Sequence, residues 1–132
     1  MNDAYPAPTG QRRWAIAEGY LPPDSTDGDD PRLVSHETAC LLNTNARPAH
    51  VALTLCLKDR DPVGPYRVTV PALRTLHPRF NDLTDPAPVP RDTPYASVIE
   101  SDAPIVLQHM RLNSRQPALA LLSTIAHADP PH

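Results

Sequence analysis

The segment HVALTLCLKD (residues 50–59) decides the fold. Val51, Leu53, Leu55 and Leu57 alternate with Ala52, Thr54, Cys56 and Lys58. A period of two belongs to a β-strand with one face buried and the other half-solvated. Leucine is only a modest strand former, so here the pattern outweighs the propensity. The flanking words agree. DPVGP (61–65) is a turn, because proline fixes φ and glycine supplies freedom. Tyr66, Val68 and Val70 then alternate along a second strand.

Working outward, the same reading recurs. Residues 14–20 read as a short apolar strand ending at Pro22 and Pro23, and DSTDGDDP (24–31) as an acidic, turn-rich loop. Residues 32–43 read as extended, with Val34, His36, Thr38, Cys40 and Leu42 on one face. A strand over 74–80 precedes a long polar loop, 81–93, which Pro86, Pro88 and Pro90 hold extended. Residues 95–101 and 105–112 read as two strands joined by a tight Asp102-Ala103-Pro104 turn. Residues 115–122 open as a helical turn with Pro117 in its first turn, and 123–128 form the last strand. About eight short strands with proline-rich connections and no long helix make an all-β, single-domain β-sandwich or barrel.

Composition bounds the answer. The chain has 132 residues, one domain by size. Its 18 prolines, about 14% against an average near 5%, punctuate a folded chain, since 4 glycines keep it out of the low-complexity range. The expected organisation is a flexible segment 1–12, a domain 13–128 and a flexible tail 129–132. A net charge of −3 and a pI near 6.0 argue against nucleic acid as a partner. Arg12 beside Arg13, and Arg111 near Arg115, read as solvated surface arginines. Cys40 and Cys56 are isolated within apolar runs and read as buried free thiols. Residues 1–10 lack a basic region followed by an apolar stretch, and no apolar run approaches about 18 residues. A cytoplasmic location is therefore expected by default.

Chemistry has few local anchors. No nucleophile elbow, phosphate loop or paired-carboxylate motif is present. His36 and Glu37 are neighbours in a strand and point to opposite faces, so they cannot chelate one ion together. A metal centre of the cupin type would require His36, His77 and His109 to converge. Arg79, Asn81 and Asp82, where a strand meets the long loop, offer donors and acceptors for a polar ligand such as a sugar, although Asn81 and Asp82 equally suit an Asx turn. Phe80 between them is a core anchor. Gln108, His109 and Arg111 either face water or line a polar site. Trp14 with Glu18 is the other candidate pair: an aromatic face beside a carboxylate suits a sugar ring, and an ordinary core tryptophan is the alternative.

Longer strings then carry a resemblance. WAIAEGYLPP (14–23), SHETACLLN (35–43), DPVGPYRVTVPALRT (61–75), HPRFNDLTDPAPVPRDTPYASVIESDAPIVLQHMRLNSRQ (77–116) and ALLSTIA (120–126) resemble the sensory rhodopsin transducer family, that is, the cyanobacterial transducer and its relatives. The likeness covers nearly all of the chain after residue 12 and is least in 24–31 and 44–49. It implies a small β-sandwich, a homotetramer, and a soluble signalling or binding module rather than an enzyme. It also implies a membrane rhodopsin as a partner, or a small-molecule ligand, sugar-like; with no local ligand spacing or cofactor motif, no cofactor and no metal are expected. Position by position, it puts forward Trp14, Glu18, His36, Glu37, Arg79, Asn81, Asp82, Gln108 and Arg111 as ligand-binding candidates. An adaptor that couples a photoreceptor to downstream signalling is the alternative, with the loop 83–94 as its contact patch.

Overall fold

The computed structural model describes residues 7–23, 35–113 and 120–129. Eight strands follow in chain order: β1 Gln11–Ile16, β2 His36–Asn43, β3 Ala49–Leu57, β4 Val63–Val70, β5 Arg74–Leu76, β6 Tyr95–Asn113, β7 Ala120–Ile125 and β8 His127–Ala128. A 3-10 turn, Phe80–Asp82, lies between β5 and β6. The strand pairings are antiparallel.

Two sheets share one strand. The first runs β4-β3-β6-β1-β8; the second joins β5, β2, β6 and β7. β6 changes sheets midway: Ser101 is its last residue opposite β3, and Val106 its first opposite β2. Inward side chains from both sheets meet in one core. They include Trp14 and Ile16 of β1, Ala39 and Leu41 of β2, Val51, Leu53 and Leu55 of β3, Tyr66 and Val70 of β4, and Ile99, Ile105 and Leu107 of β6. The fold is a single all-β sandwich.

The leucine alternation at 50–59 does what its period requires. Val51, Leu53 and Leu55 are buried, while Cys56 on the opposite face is exposed and Cys40 on β2 is half-buried. The cysteines are free, as expected, but they are not buried. Both sit at outward positions of their strands, a face that the apolar run around them conceals in the sequence.

The largest departure is at residues 102–104. Asp102-Ala103-Pro104 does not turn; β6 is one strand of 19 residues. Several polar groups at the crossover have other partners. The Asp102 carboxylate accepts the His50 backbone N–H at 2.8 Å and faces His50 Nδ1 at 2.8 Å. Ser101 Oγ accepts the Ala103 N–H at 3.2 Å, and Asn45 Nδ2 donates to the Pro104 carbonyl at 2.8 Å. Ala103 is fully buried. A proline tolerates extended backbone, and its missing donor costs little where the strand exchanges partners.

Smaller departures have similar causes. β1 ends at Ile16, so residues 17–20 are not strand. β4 begins at Val63 and carries Pro65, which an edge strand accommodates. Ala120 to Leu122 belong to β7 rather than to a helical turn, while residues 115–119 lie outside the described residues. The loop after Asp82 is pinned: Val89 is buried in the core and Tyr66 Oη donates to the Ala87 carbonyl at 2.6 Å. Gly10 is required where it stands. Its φ is +111° and a Cβ there would lie 1.9 Å from the Ile105 carbonyl oxygen.

Two outcomes check this account. Leu53→Ala is expected to cost about 2–5 kcal/mol in urea unfolding, and Cys56→Ala, one pleat away, less than about 0.5 kcal/mol. The bonds from the His50 backbone and then its ring hold the Asp102 carboxyl below the usual range. A depressed folded value stabilises above the unfolded pKa of about 3.9, and that stability is lost as pH falls through the folded value. Asp102→Asn should therefore lose less stability than the native chain between pH 6 and pH 3.

Candidate functional site

The inner face of β2 carries Glu37, Ala39, Leu41 and Asn43, all fully buried. Across the ladder Glu37 faces Arg111, Ala39 faces His109 and Leu41 faces Leu107. The middle of this face is apolar and its ends are polar. At the Asn43 end the polarity is structural. Asn43 Nδ2 donates to the carbonyls of Arg47, Val70 and Pro71, and its oxygen accepts from Asn45.

At the other end Glu37 is a hub. Its side chain is 1% exposed. Oε1 lies 2.6 Å from His109 Nε2, while Oε2 accepts the Tyr20 backbone N–H and lies 3.6 Å from Arg111 Nε. With the carboxylate ionised, Nε2 of His109 is the donor. A buried carboxylate needs this density of donors, because removal from water is otherwise costly. Asn81 fixes the strand from behind: its Oδ1 accepts the Glu37 N–H at 3.2 Å and its Nδ2 donates to the Ser35 carbonyl at 2.9 Å. The amide therefore serves β2 rather than an Asx turn of its own.

Three consecutive residues strap the hub. Glu18 Oε1 lies 2.7 Å from Arg111 Nη2. The Gly19 carbonyl accepts the Tyr95 N–H at 2.9 Å, and a Cβ on Gly19 would lie 2.3 Å from the Tyr95 ring. Tyr20 gives its backbone N–H to Glu37 and its hydroxyl to Asp92. Phe80 supports the other side of Tyr95, with ring centroids 5.5 Å apart.

Several donors here are buried without a hydrogen-bond partner: Tyr95 Oη, Arg111 Nε and Arg111 Nη2. Nη2 is close enough to Glu18 for an ion pair, but its N–H groups are not aligned with the carboxylate. The Tyr95 phenol is pushed far above its ordinary range, first by burial and then by the Glu37 charge, with Arg111 and Arg91 opposing. It stays a neutral hydroxyl beside two charged groups.

Of the nine candidates, Glu18, Glu37 and Arg111 come together, with Asn81 as their brace. Trp14 is core, its indole N–H shared between the carbonyls of Gln11 at 3.0 Å and Ile105 at 3.1 Å. His36 is buried on the face of β2 opposite Glu37. Arg79 bridges Thr38, which shares that opposite face. Gln108 and Asp82 are exposed. A single pocket joining Trp14, Arg79, Gln108 and Glu37 is therefore not formed. The three histidines do not converge either, since His77 is exposed against Thr75. No group of three or more His, Cys, Asp or Glu side chains placed to hold a metal occurs among the described residues. Tyr20, Tyr95 and His109 complete the cluster. A signal for His109 lay in the sequence, because residues two apart share a strand face and Arg111 stands two further on.

Fold and site together define an antiparallel β-sandwich with a buried acid–histidine–arginine cluster and no helix long and apolar enough to cross a membrane among its described residues. The chain belongs to the Anabaena sensory rhodopsin transducer family, whose model matches residues 9–128. The solved Anabaena sensory rhodopsin transducer is 57% identical with a TM-score of 0.72, over 79% of this chain and 99% of its own. The crystal structure of Thermotoga maritima 1070 is 31% identical with a TM-score of 0.81, over 92% of this chain and 97% of its own. No curated protein matches.

Removing the hub should be costly. Glu37→Ala strands His109, Arg111 and the Tyr20 N–H, and is expected to destabilise by about 3–5 kcal/mol in urea titrations. Gln108→Ala should stay within about 0.5 kcal/mol.

Proposed function

We propose that this protein is a signalling module that binds a small, polar, sugar-like molecule at the Glu37–His109–Arg111 cluster. One observation carries the reading. Arg111 and Tyr95 present buried donors that no aligned hydrogen bond satisfies, although Glu18 and Glu37 lie near the guanidinium, an arrangement that costs stability unless something completes it. Such unpaired groups are what a hydroxyl-bearing ligand satisfies. The cluster reaches the surface through Glu18, whose side chain is 69% exposed, and Arg111, at 23%. The name of the Anabaena relative supports a transducing role, and names no reaction. By the same kinship we place the protein in the cytoplasm as a homotetramer.

The name of that relative also favours a second reading, an adaptor that touches a membrane rhodopsin. Its contact surface would be the proline-rich loop 83–94, which Val89 and Ala87 hold in place while Pro86 and Pro88 stay exposed.

A thermal-shift screen of sugars, sugar phosphates, nucleotides and divalent metals at fixed protein concentration separates the two. A ligand at a hundredfold over its Kd adds about 2.7 kcal/mol, which moves the midpoint of a domain of this size by several degrees. The expected result is a shift from one polar class, reduced in Tyr95→Phe. A flat screen, with recovery of a membrane protein through the loop, would overturn ligand binding and leave the adaptor.

A further inference from the structure

Arg111 has an unusual set of neighbours. Its guanidinium stands between two carboxylates and forms an aligned hydrogen bond with neither through Nε or Nη2. These two nitrogens form one edge of the planar fork, the edge that grips a carboxylate side-on with two parallel N–H···O bonds. Both are buried. The arginine is thus held with its fork edge between two carboxylates and aligned with neither.

The two carboxylates are not equivalent. Glu37 cannot swing toward the fork, because His109 and the Tyr20 N–H hold its oxygens and its side chain is 1% exposed. Glu18 can leave. Its side chain is 69% exposed, its one ion pair among the described residues is the misaligned contact to Arg111, and exposed pairs of this kind are weak. Glu18 therefore holds, imperfectly, a space the size of a carboxylate against an arginine edge that suits one. The Tyr95 hydroxyl, which makes no hydrogen bond and feels the charges of Glu37 and Arg111, adds a neutral donor to the same cluster.

Resting on the reading that this cluster binds a polar molecule, we infer that the molecule carries a carboxylate. That carboxylate displaces Glu18 and takes the Nε/Nη2 edge of Arg111 side-on. Glu18 is a built-in competitor that sets the affinity. A carboxylate suits the site better than a phosphate ester, because Glu37 stays within 3.6 Å of the same guanidinium and repels a dianion more strongly than a monoanion. A sugar acid joins this group to the hydroxyls that the reading already requires.

The test follows the arginine Nε–H signals of the folded protein in proton–nitrogen correlation spectra, with Arg111→Lys identifying the Arg111 resonance. The probes are acetate, glucuronate, glucose and glucose 6-phosphate. Acetate and glucuronate are expected to move the Arg111 signal saturably. In Glu18→Gln the acetate midpoint should fall about two- to fivefold, the range set by the strength of an exposed ion pair. Arg111→Lys, which keeps the charge and loses the fork, should weaken glucuronate binding at least tenfold, followed by thermal shift. An acetate midpoint unchanged or raised in Glu18→Gln overturns the competitor role. Glucose binding as well as glucuronate, or glucose 6-phosphate alone moving the signal, overturns the carboxylate assignment and leaves polar-ligand binding intact. If no probe moves any signal of the cluster, the binding reading falls with the inference.

Discussion

β6 hydrogen-bonds to four other strands, β1 and β3 along its first half and β2 and β7 along its second. No other described strand joins the two sheets by pairing within both. The inner faces can enclose one core because this strand bends from one sheet into the other without breaking. The bend relies on side chains rather than on a turn. Asp102 ties it to β3, Ser101 caps its backbone, and Asn45 reaches its carbonyl from the β2–β3 connection. A strand that changes partners leaves backbone groups exposed to burial, and these three residues satisfy them.

The buried Glu37 follows from that geometry. The second half of β6 brings His109 and Arg111 alongside β2, so a carboxylate at the inward position of β2 finds donors that an apolar residue there would leave unmatched. The arrangement is only partly complete. His109 is well placed, while Arg111 is 3.6 Å away and not aligned. A purely structural ion pair is expected to close fully, because half-satisfied polar networks are costly. The incompleteness distinguishes this end of the sandwich from the Asn43 end, where both the donor and the acceptor of the amide are used.

The strands with a strong period of two were legible in the sequence. β3 runs over Ala49–Leu57, close to the leucine alternation that announced it, and Phe80 and Trp14 are core residues. The bend in β6 was not legible, because Asp-Ala-Pro is chemically a turn and only distant partners, His50 and Asn45, make it a strand. Half of the site was visible. Glu18, Glu37 and Arg111 were named from strings, but Gln108 could not share a strand face with Arg111, being three residues away. The Tyr20 contact to Glu37 is a backbone N–H, which no side-chain motif records. Register between β2 and β6, which puts Glu37 opposite Arg111, depends on residues about seventy positions apart and has no local signature.

Tyr95 and Arg111 belong to opposite ends of one strand, yet both sense Glu37. Tyr95 pairs with the first sheet and Arg111 with the second. Together with the strap of residues 18–20 that follows β1, the cluster thus closes one end of the folded ribbon like a clasp. Its contacts reach both leaves of the sandwich at once, Tyr95 from the first sheet and Arg111 from the second. The two sheets therefore share a closure at this end as well as at the bend of β6.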